Sequence, residues 1–443
     1  MSSKYQNLIF KHRRTLAVIL FALATLMLTV RTMTLLNIPD EPNPAFWGLR
    51  DFRDAIYFPT ISWMSGNNPY DASVHMDQYP VGQLFPLYSP LIFVIHVPFA
   101  LLPYVVSEWV YFGFNVLMTL GLASLAMHLV GLRQKAWLVI GFAGLILVSR
   151  PGHMCQVLGQ TAFTATLFSW LAIYFASKKK DLRAGLFVAL ASFKPTFGIV
   201  LLPLLAAKGH FRAAIIGGLT TVILTGAIGL TLINRIGEGK TIGSVVEENR
   251  VTFLAHEGVN VFSTFSRDDL FPLLSRVFQV ELSTSTELVI ATLMILVSSL
   301  VIWLRSRSQE NFACDGITTT LVCVTLIVSI YHHTYDTVIL LLPWLAILIG
   351  RHSDWQVIHP RVRWLLLTLL TVPFVNYLST NMFTSRLASD GTLRMIVTSV
   401  NGISLLVAWV VLATLSLSLS SQRKEAQGIS GVLEPSVLKV ERA

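Results

Sequence analysis

Charge is what this sequence has least of. Only 13% of its 443 residues are Asp, Glu, Lys or Arg, where a soluble protein carries about 25%. Hydrophobic residues make up 53% and the mean hydropathy is +0.64. Apolar runs of roughly 18 residues or more recur along the chain. They exclude a soluble enzyme and point to an all-α polytopic integral membrane protein. Cysteine is scarce too. Cys155, Cys314 and Cys323 show no metal spacing and fall at different expected depths, so neither a disulfide framework nor a zinc site is expected. A glycine-rich phosphate loop is also missing. Gly239-Lys240-Thr241 has the right ending, but Asn234 stands where the first glycine belongs. No internal repeat is visible, and no polar stretch is large enough to fold as a domain of its own.

What charge there is follows a pattern. The net charge of +9 sits in short loops between apolar runs, which reports membrane topology and argues against nucleic acid as a partner. Residues 1–14 are basic and expected in the cytoplasm. Residues 15–420 form a single transmembrane domain, and 421–443 a second cytoplasmic tail. The first run, Thr15 to Ile38, is too long for a signal segment and is followed by no small-residue cleavage site, so it reads as an uncleaved helix. Arg31 near its end either snorkels to the interface or faces a ligand. Outer loops are expected at 39–106 and 234–286. Leu91 to Leu102 reads as a juxtamembrane helix, because as a span it would push Lys178-Lys179-Lys180 to the outside. Full spans are expected at 109–132, 136–148, 161–177, 213–233, 288–304, 317–330, 338–349, 364–378 and 395–419. With the first helix and the partial hairpins, the total is about ten to twelve transmembrane helices.

Polar residues collect in few places. The first outer loop carries Asp51, Asp54, Asp71 and Asp77, and its stretch from Phe52 to Met64 reads as an amphipathic helix along the interface. A second outer cluster runs from Arg150 to Gln160, and a third from Tyr331 to Asp336. Between two basic flanks, Phe193-Lys194-Pro195 interrupts an apolar segment too short for two crossings. That pattern reads as a broken hairpin with Lys194 at its tip, lining a cavity. Carboxylate, imidazole and cation around such a cavity suit group transfer. A carboxylate takes a proton from an acceptor hydroxyl while cations stabilise a leaving phosphate. A lipid-phosphate donor fits, since soluble nucleotide donors are scarce outside the cytoplasm.

The ordered set Asp51-Phe52-Arg53, Gly66-x-x-Pro69-Tyr70-Asp71, Tyr88-x-Pro90 and Pro98 resembles the start of glycosyltransferase family 87. Later motifs continue the likeness: Gly159-Gln160-Thr161, Lys194-Pro195, Asn260-Val261-Phe262-Ser263 and His332-His333-x-Tyr335-Asp336. The likeness covers about residues 15 to 350. It implies a GT-C fold, an inverting transfer from a polyprenyl-phosphate-linked sugar, a catalytic aspartate in the first outer loop and a basic residue at the lipid phosphate. Asp51 matches the aspartate. The chain departs from the family in carrying Asp54 where an apolar residue is usual, and Asp54 stands as a rival base.

The expected activity is a membrane hexosyltransferase, a mannosyltransferase first, acting on a glycolipid or glycan hydroxyl at the outer face of the cell's inner membrane. Asp51 or Asp54 serves as base, with His332 or His333 assisting. Lys194, with Arg150, holds the donor phosphate. Tyr70, Tyr88, His153, Gln160, Asn260, Tyr335 and Asp336 are candidate substrate contacts. No cofactor and no metal site are expected. Partners are membrane lipids, the polyprenyl-phosphate-hexose donor and the acceptor, with the chain a monomer. Two other classes stand beside this reading: a lipid-linked glycan transporter or flippase, which shares the broken hairpin, and a glycan polymerase or ligase of another superfamily.

Overall fold

The computed structural model describes residues 3–36, 46–85, 88–235, 241–255, 259–307, 313–387 and 391–432. Gly239-Lys240, part of each outer loop and the end of the tail at 433–443 lie outside the described residues. Within them the chain is helical throughout, with isolated β-bridges at Leu36–Gly48 and Arg267–His333. After α1 (Ser3–Leu35), α2 (Arg50–Phe52) runs through a π turn (Arg53–Tyr57) straight into α3 (Phe58–Met64). Then come α4 (Ala72–Gln78), α5 (Leu91–Ala100), α6 (Tyr104–Leu129), α7 (Ala136–Val148), α8 (Arg150–Leu158), α9 (Ala162–Ser177), α10 (Asp181–Ala191), α11 (Pro195–Ala207) and α12 (Phe211–Ile233). The remainder comprises α13 (Ile242–Ala255), α14 (Leu270–Phe278), α15 (Thr284–Ser306), α16 (Ile317–Val328), a 3-10 segment (Thr334–Leu340), α17 (Leu341–Ile349), α18 (Ser353–Val357), α19 (Pro360–Val375), α20 (Asn381–Thr384) and α21 (Gly391–Val432).

Among the described residues, 6 helices are long and apolar enough to cross a bilayer: those at His12–Leu35, Tyr104–Leu129, Phe211–Ile233, Thr284–Ser306, Pro360–Ser379 and Gly391–Ser421. A seventh crossing is possible if α7 and α8, bent by 77°, count as one. The expected spans at 161–177, 317–330 and 338–349 are instead shorter apolar helices. The reason is physical. Apolarity reports a water-free environment, and packed protein supplies one as well as lipid does. With 16 residues at most, these helices reach about 24 Å, short of a hydrocarbon core about 30 Å thick. All 12 residues of α16 are buried, so it is an interior helix. In α12, by contrast, only 17% of the most apolar window is buried, and Leu219, Val222 and Ile223 face outward, as lipid contact requires. α5 has 10 residues, too few by itself for a core that thick.

The stretch from Phe52 to Met64 also differs from the expected interfacial helix. Phe52, Arg53, Asp54, Ala55, Ile56, Tyr57, Pro59, Thr60 and Ser62 are all buried. The Phe52 ring stacks on Tyr111 of α6 at 4.4 Å between centroids, with Phe99 and Tyr104 close by. This aromatic wall, supplied by α5 and α6, packs the helix into the bundle. The π turn marks it as irregular, a feature that frequently accompanies function.

Candidate active site

Asp51 lies in the first turn of α2, and its position is set by a contact with the end of α8. Gly159 closes α8 in the left-handed region, at φ 70. A Cβ there would stand 2.7 Å from the Phe52 Cβ, closer than carbon atoms tolerate. Leu49, also left-handed at φ 51, donates its N–H to the Val157 carbonyl at 2.7 Å. With the two backbones locked in this way, Gln160 donates its amide to Asp51 Oδ2 at 2.5 Å. Gln83 donates to Oδ1 at 2.8 Å. Each carboxylate oxygen keeps a further lone pair for a substrate proton. The side chain is half-buried. Burial pushes its pKa above the usual carboxylate range, while the Gln83 and Gln160 bonds and the charges of Arg50 and Lys194 pull it back. Replacing Gly159 with Ala is expected to cost about 1–2 kcal/mol for the backbone conformation alone, plus the clash with Phe52. Thermal unfolding and sugar transfer in detergent should both fall. A Gly159→Ala protein with wild-type values of each would show that this contact does not set the site.

Asp54 is bound quite differently. It is fully buried, with Arg53 Nε at 2.6 Å and Nη2 at 3.2 Å, Arg50 Nε at 3.6 Å and the Gly82 N–H at 3.1 Å. Arg50 also donates to the Gly82 carbonyl at 2.9 Å. The Gly82 peptide is thus gripped from both sides, one residue before the Gln83 that binds Asp51. In this geometry both oxygens of Asp54 are taken by Arg50, Arg53 and the Gly82 N–H. Asp54→Asn should lower turnover roughly tenfold to a hundredfold through misplacement. By loosening the Gln83 bond it should also move the acid limb of the pH–rate profile upward, since a carboxylate that loses a donor ionises less readily. A reduced rate with an unmoved midpoint would break the link through Gln83.

The cation comes from the broken hairpin. α10 and α11 are separated by Ser192-Phe193-Lys194, and Pro195 opens α11, where its missing N–H is harmless. The Phe193 carbonyl accepts from the Ser89 N–H at 3.1 Å, tying the break to the first outer loop. Lys194 is buried and pairs with Asp336 Oδ1. Its ammonium stands 4.9 Å from the centroid of Tyr335, 5.5 Å from Phe197 and 5.9 Å from Tyr88. The other oxygen of Asp336 takes His332 Nδ1 at 3.0 Å and the His333 N–H at 3.3 Å. Among the described residues His332 Nε2 is buried without a hydrogen-bond partner.

Tyr88 joins the two halves. Its hydroxyl donates to Gln160 Oε1 at 3.3 Å, its ring faces Lys194, and its carbonyl accepts from the Tyr70 hydroxyl. Asp51, Gln160, Tyr88, Lys194, Asp336 and His332 therefore form one continuous network from four separate stretches of chain. Other candidates are engaged elsewhere. Arg150 is fully buried and donates to the carbonyls of Phe265 at 3.2 Å and Ser379 at 2.8 Å. His153 lies 6.1 Å from the Tyr377 ring. Asn260 accepts the Phe262 N–H at 3.0 Å, closing its own turn. His333 bonds Ser266 at 2.9 Å and Tyr331.

Sequence reading passed over the second loop's contribution. Arg267 grips Asp269 with both arms at 2.9 Å, and Asp269 accepts the His332 N–H at 3.2 Å. Backbone bonds from Asp268 to His332 at 3.0 Å and from Thr334 to Ser266 at 2.7 Å complete the support. The triplet Arg267-Asp268-Asp269, in a chain so poor in charge, was the available signal. Among the described residues no group of three or more His, Cys, Asp or Glu is arranged to hold a metal ion. The site combines a proton acceptor with a buried cation, which is the equipment for acid–base chemistry on a substrate with an anionic leaving group.

Residues 86–329 match Glycosyltransferase family 87. No match was found among curated proteins or among solved structures. The matched region contains Tyr88, Gln160 and Lys194, with Asp51 before it and Asp336 after it. Helices fit to cross a bilayer and a match over more than half of the chain lead to one statement: this protein belongs to glycosyltransferase family 87 and is a membrane glycosyltransferase.

Proposed function

We propose that the protein is an inverting hexosyltransferase, specifically a mannosyltransferase, that uses a polyprenyl-phosphate-linked sugar. The observation that carries this reading is the single network holding the Asp51 carboxylate and the Lys194 ammonium. Asp51 removes the proton of an acceptor hydroxyl on a glycolipid or glycan as that oxygen attacks the sugar's anomeric carbon. The anomeric carbon–phosphate oxygen bond breaks on the opposite face, and polyprenyl phosphate leaves with the bonding electrons. Lys194 stabilises the negative charge on the departing phosphate, which is worth most in a site with little water. His332, its Nδ1 on Asp336, offers Nε2 to a substrate hydroxyl. The aromatic faces of Tyr88 and Tyr335 flank the cation.

The fold belonging to this reading is of the GT-C type, with ten to twelve crossings if the short apolar helices complete broken spans. Basic residues at 11–14, 133–135 and 178–183 favour cytoplasmic termini and an extracytoplasmic site in the cell's inner membrane, serving the cell envelope. Purified protein in detergent should be given radiolabelled polyprenyl-phosphate-mannose, and separately the glucose analogue, with a membrane-lipid extract as acceptor. Label in an extractable product from mannose, with anomeric inversion by NMR, is the expected result. Transfer from glucose alone changes the sugar. Absence of product with every polyprenyl-phosphate sugar overturns the donor class.

A further inference from the structure

At the far end of α6 from the active site lies a second constellation that the transfer chemistry does not use. α6 begins at Tyr104, which packs on Phe52 and Phe58, and runs for 26 residues to Leu129. At 1.5 Å per residue that is about 39 Å, close to the thickness of a bilayer with its headgroups. Just beyond, the α6–α7 turn and the end of α17 border an open recess of about 470 Å³. Arg133, Lys135 and Arg351 line it together with Trp137, Leu132 and Leu138, and no Asp or Glu is among the lining residues. Arg351 donates to the Gly131 carbonyl, joining the two segments at the rim. Arg13 of α1 lies over the Trp137 ring at 5.2 Å from its centroid. Neither Arg133 nor Lys135 makes an ion pair among the described residues.

We propose that this recess binds the phosphate of an anionic phospholipid headgroup. Arg133 and Lys135 of one segment and Arg351 of another converge on it, and among the described residues no carboxylate lines it. An indole stands at the level where amphipathic rings meet headgroups, and leucines offer a path for the glycerol and acyl chains. Basic pockets between membrane helices take anionic lipids by this combination. A merely solvated cluster of basic loops needs neither a concave wall nor the Trp137 indole.

The test is a lipid titration on the purified full chain in phosphatidylcholine nanodiscs, reading the rise in unfolding temperature as phosphatidylglycerol replaces phosphatidylcholine. Wild type should gain stability with a saturable dependence. Arg133→Gln/Lys135→Gln should need roughly thirtyfold more phosphatidylglycerol for the same gain, given the usual contribution of each basic residue near an anionic surface. Arg361→Gln, an exposed control, should titrate like wild type. An equal response from wild type and the double variant overturns the site. An equal loss in Arg361→Gln also overturns it, because the effect is then diffuse charge. Inorganic phosphate that stabilises wild type as well as the lipid does, and abolishes the lipid's effect, overturns the lipid as occupant.

Discussion

Asp51→Asn should leave a folded protein that transfers sugar roughly a hundredfold to ten-thousandfold more slowly, the range that a positioned general base contributes. Asparagine preserves the shape and can still pair with Gln83 and Gln160 if one of those amides turns over, so the unfolding temperature should hardly move. Because a general base acts in the transition state and not in binding, the loss belongs in kcat. The pH dependence supplies a second reading of the same group. Burial raises the Asp51 pKa from 3.8. A base works only when ionised, so wild-type turnover should fall as pH drops through a midpoint above that value, and recover on the alkaline side. In Asp51→Asn that limb should vanish from whatever activity remains. A variant with full activity, or an acid limb unchanged by the substitution, would remove Asp51 from the base's position. Asp54→Asn is the informative contrast, since it is expected to retain a limb and only displace it.

Lys194→Met should be the more damaging change, for two separable reasons. Asp336 would be left buried without its cation, and breaking one side of a buried pair typically costs about 3–5 kcal/mol. Catalysis would also lose the charge facing the leaving phosphate, a loss on the order of a hundredfold to a thousandfold for a preorganised electrostatic contact. The double variant Lys194→Met/Asp336→Asn separates them. With no orphaned carboxylate, its stability measured by thermal unfolding should recover most of the deficit, while transfer stays lost. If activity returned together with stability, the lysine would be a structural ion pair and nothing more.

The members of the network were visible as separate motifs because each sits where the sequence changes character. Asp51 opens a polar stretch with four carboxylates in an apolar chain, Lys194-Pro195 breaks an apolar run, and His332 and Asp336 fill a tight polar turn. What no local pattern reveals is pairing. Asp51 and Asp54 are chemically alike and three residues apart, yet one meets two neutral amides while the other meets two guanidinium groups. Only the fold decides which. Gln83 and Gly82 escaped notice for the same reason: an amide in a loop carries no signal until its carboxylate is placed beside it. Arg150 looked available because it heads a polar turn, but the carbonyls that claim it arrive from Phe265 and Ser379. In α9, α16 and α17 helix length is illegible from the sequence, because burial in protein and burial in lipid leave the same apolar trace.

The pairing of Lys194 with Asp336 also has a schedule. The two are 142 residues apart in the chain, and a ribosome that adds about 5–20 residues per second leaves the lysine without its counter-ion for roughly 7–28 seconds. For that interval an ammonium group on a short apolar hairpin has nothing at membrane depth to neutralise it. The hairpin is therefore expected to remain at the water boundary during synthesis and to settle inward only when the His332–Asp336 turn emerges. Membrane insertion and assembly of the active site then become a single late event, and a nascent chain stalled before Asp336 holds neither.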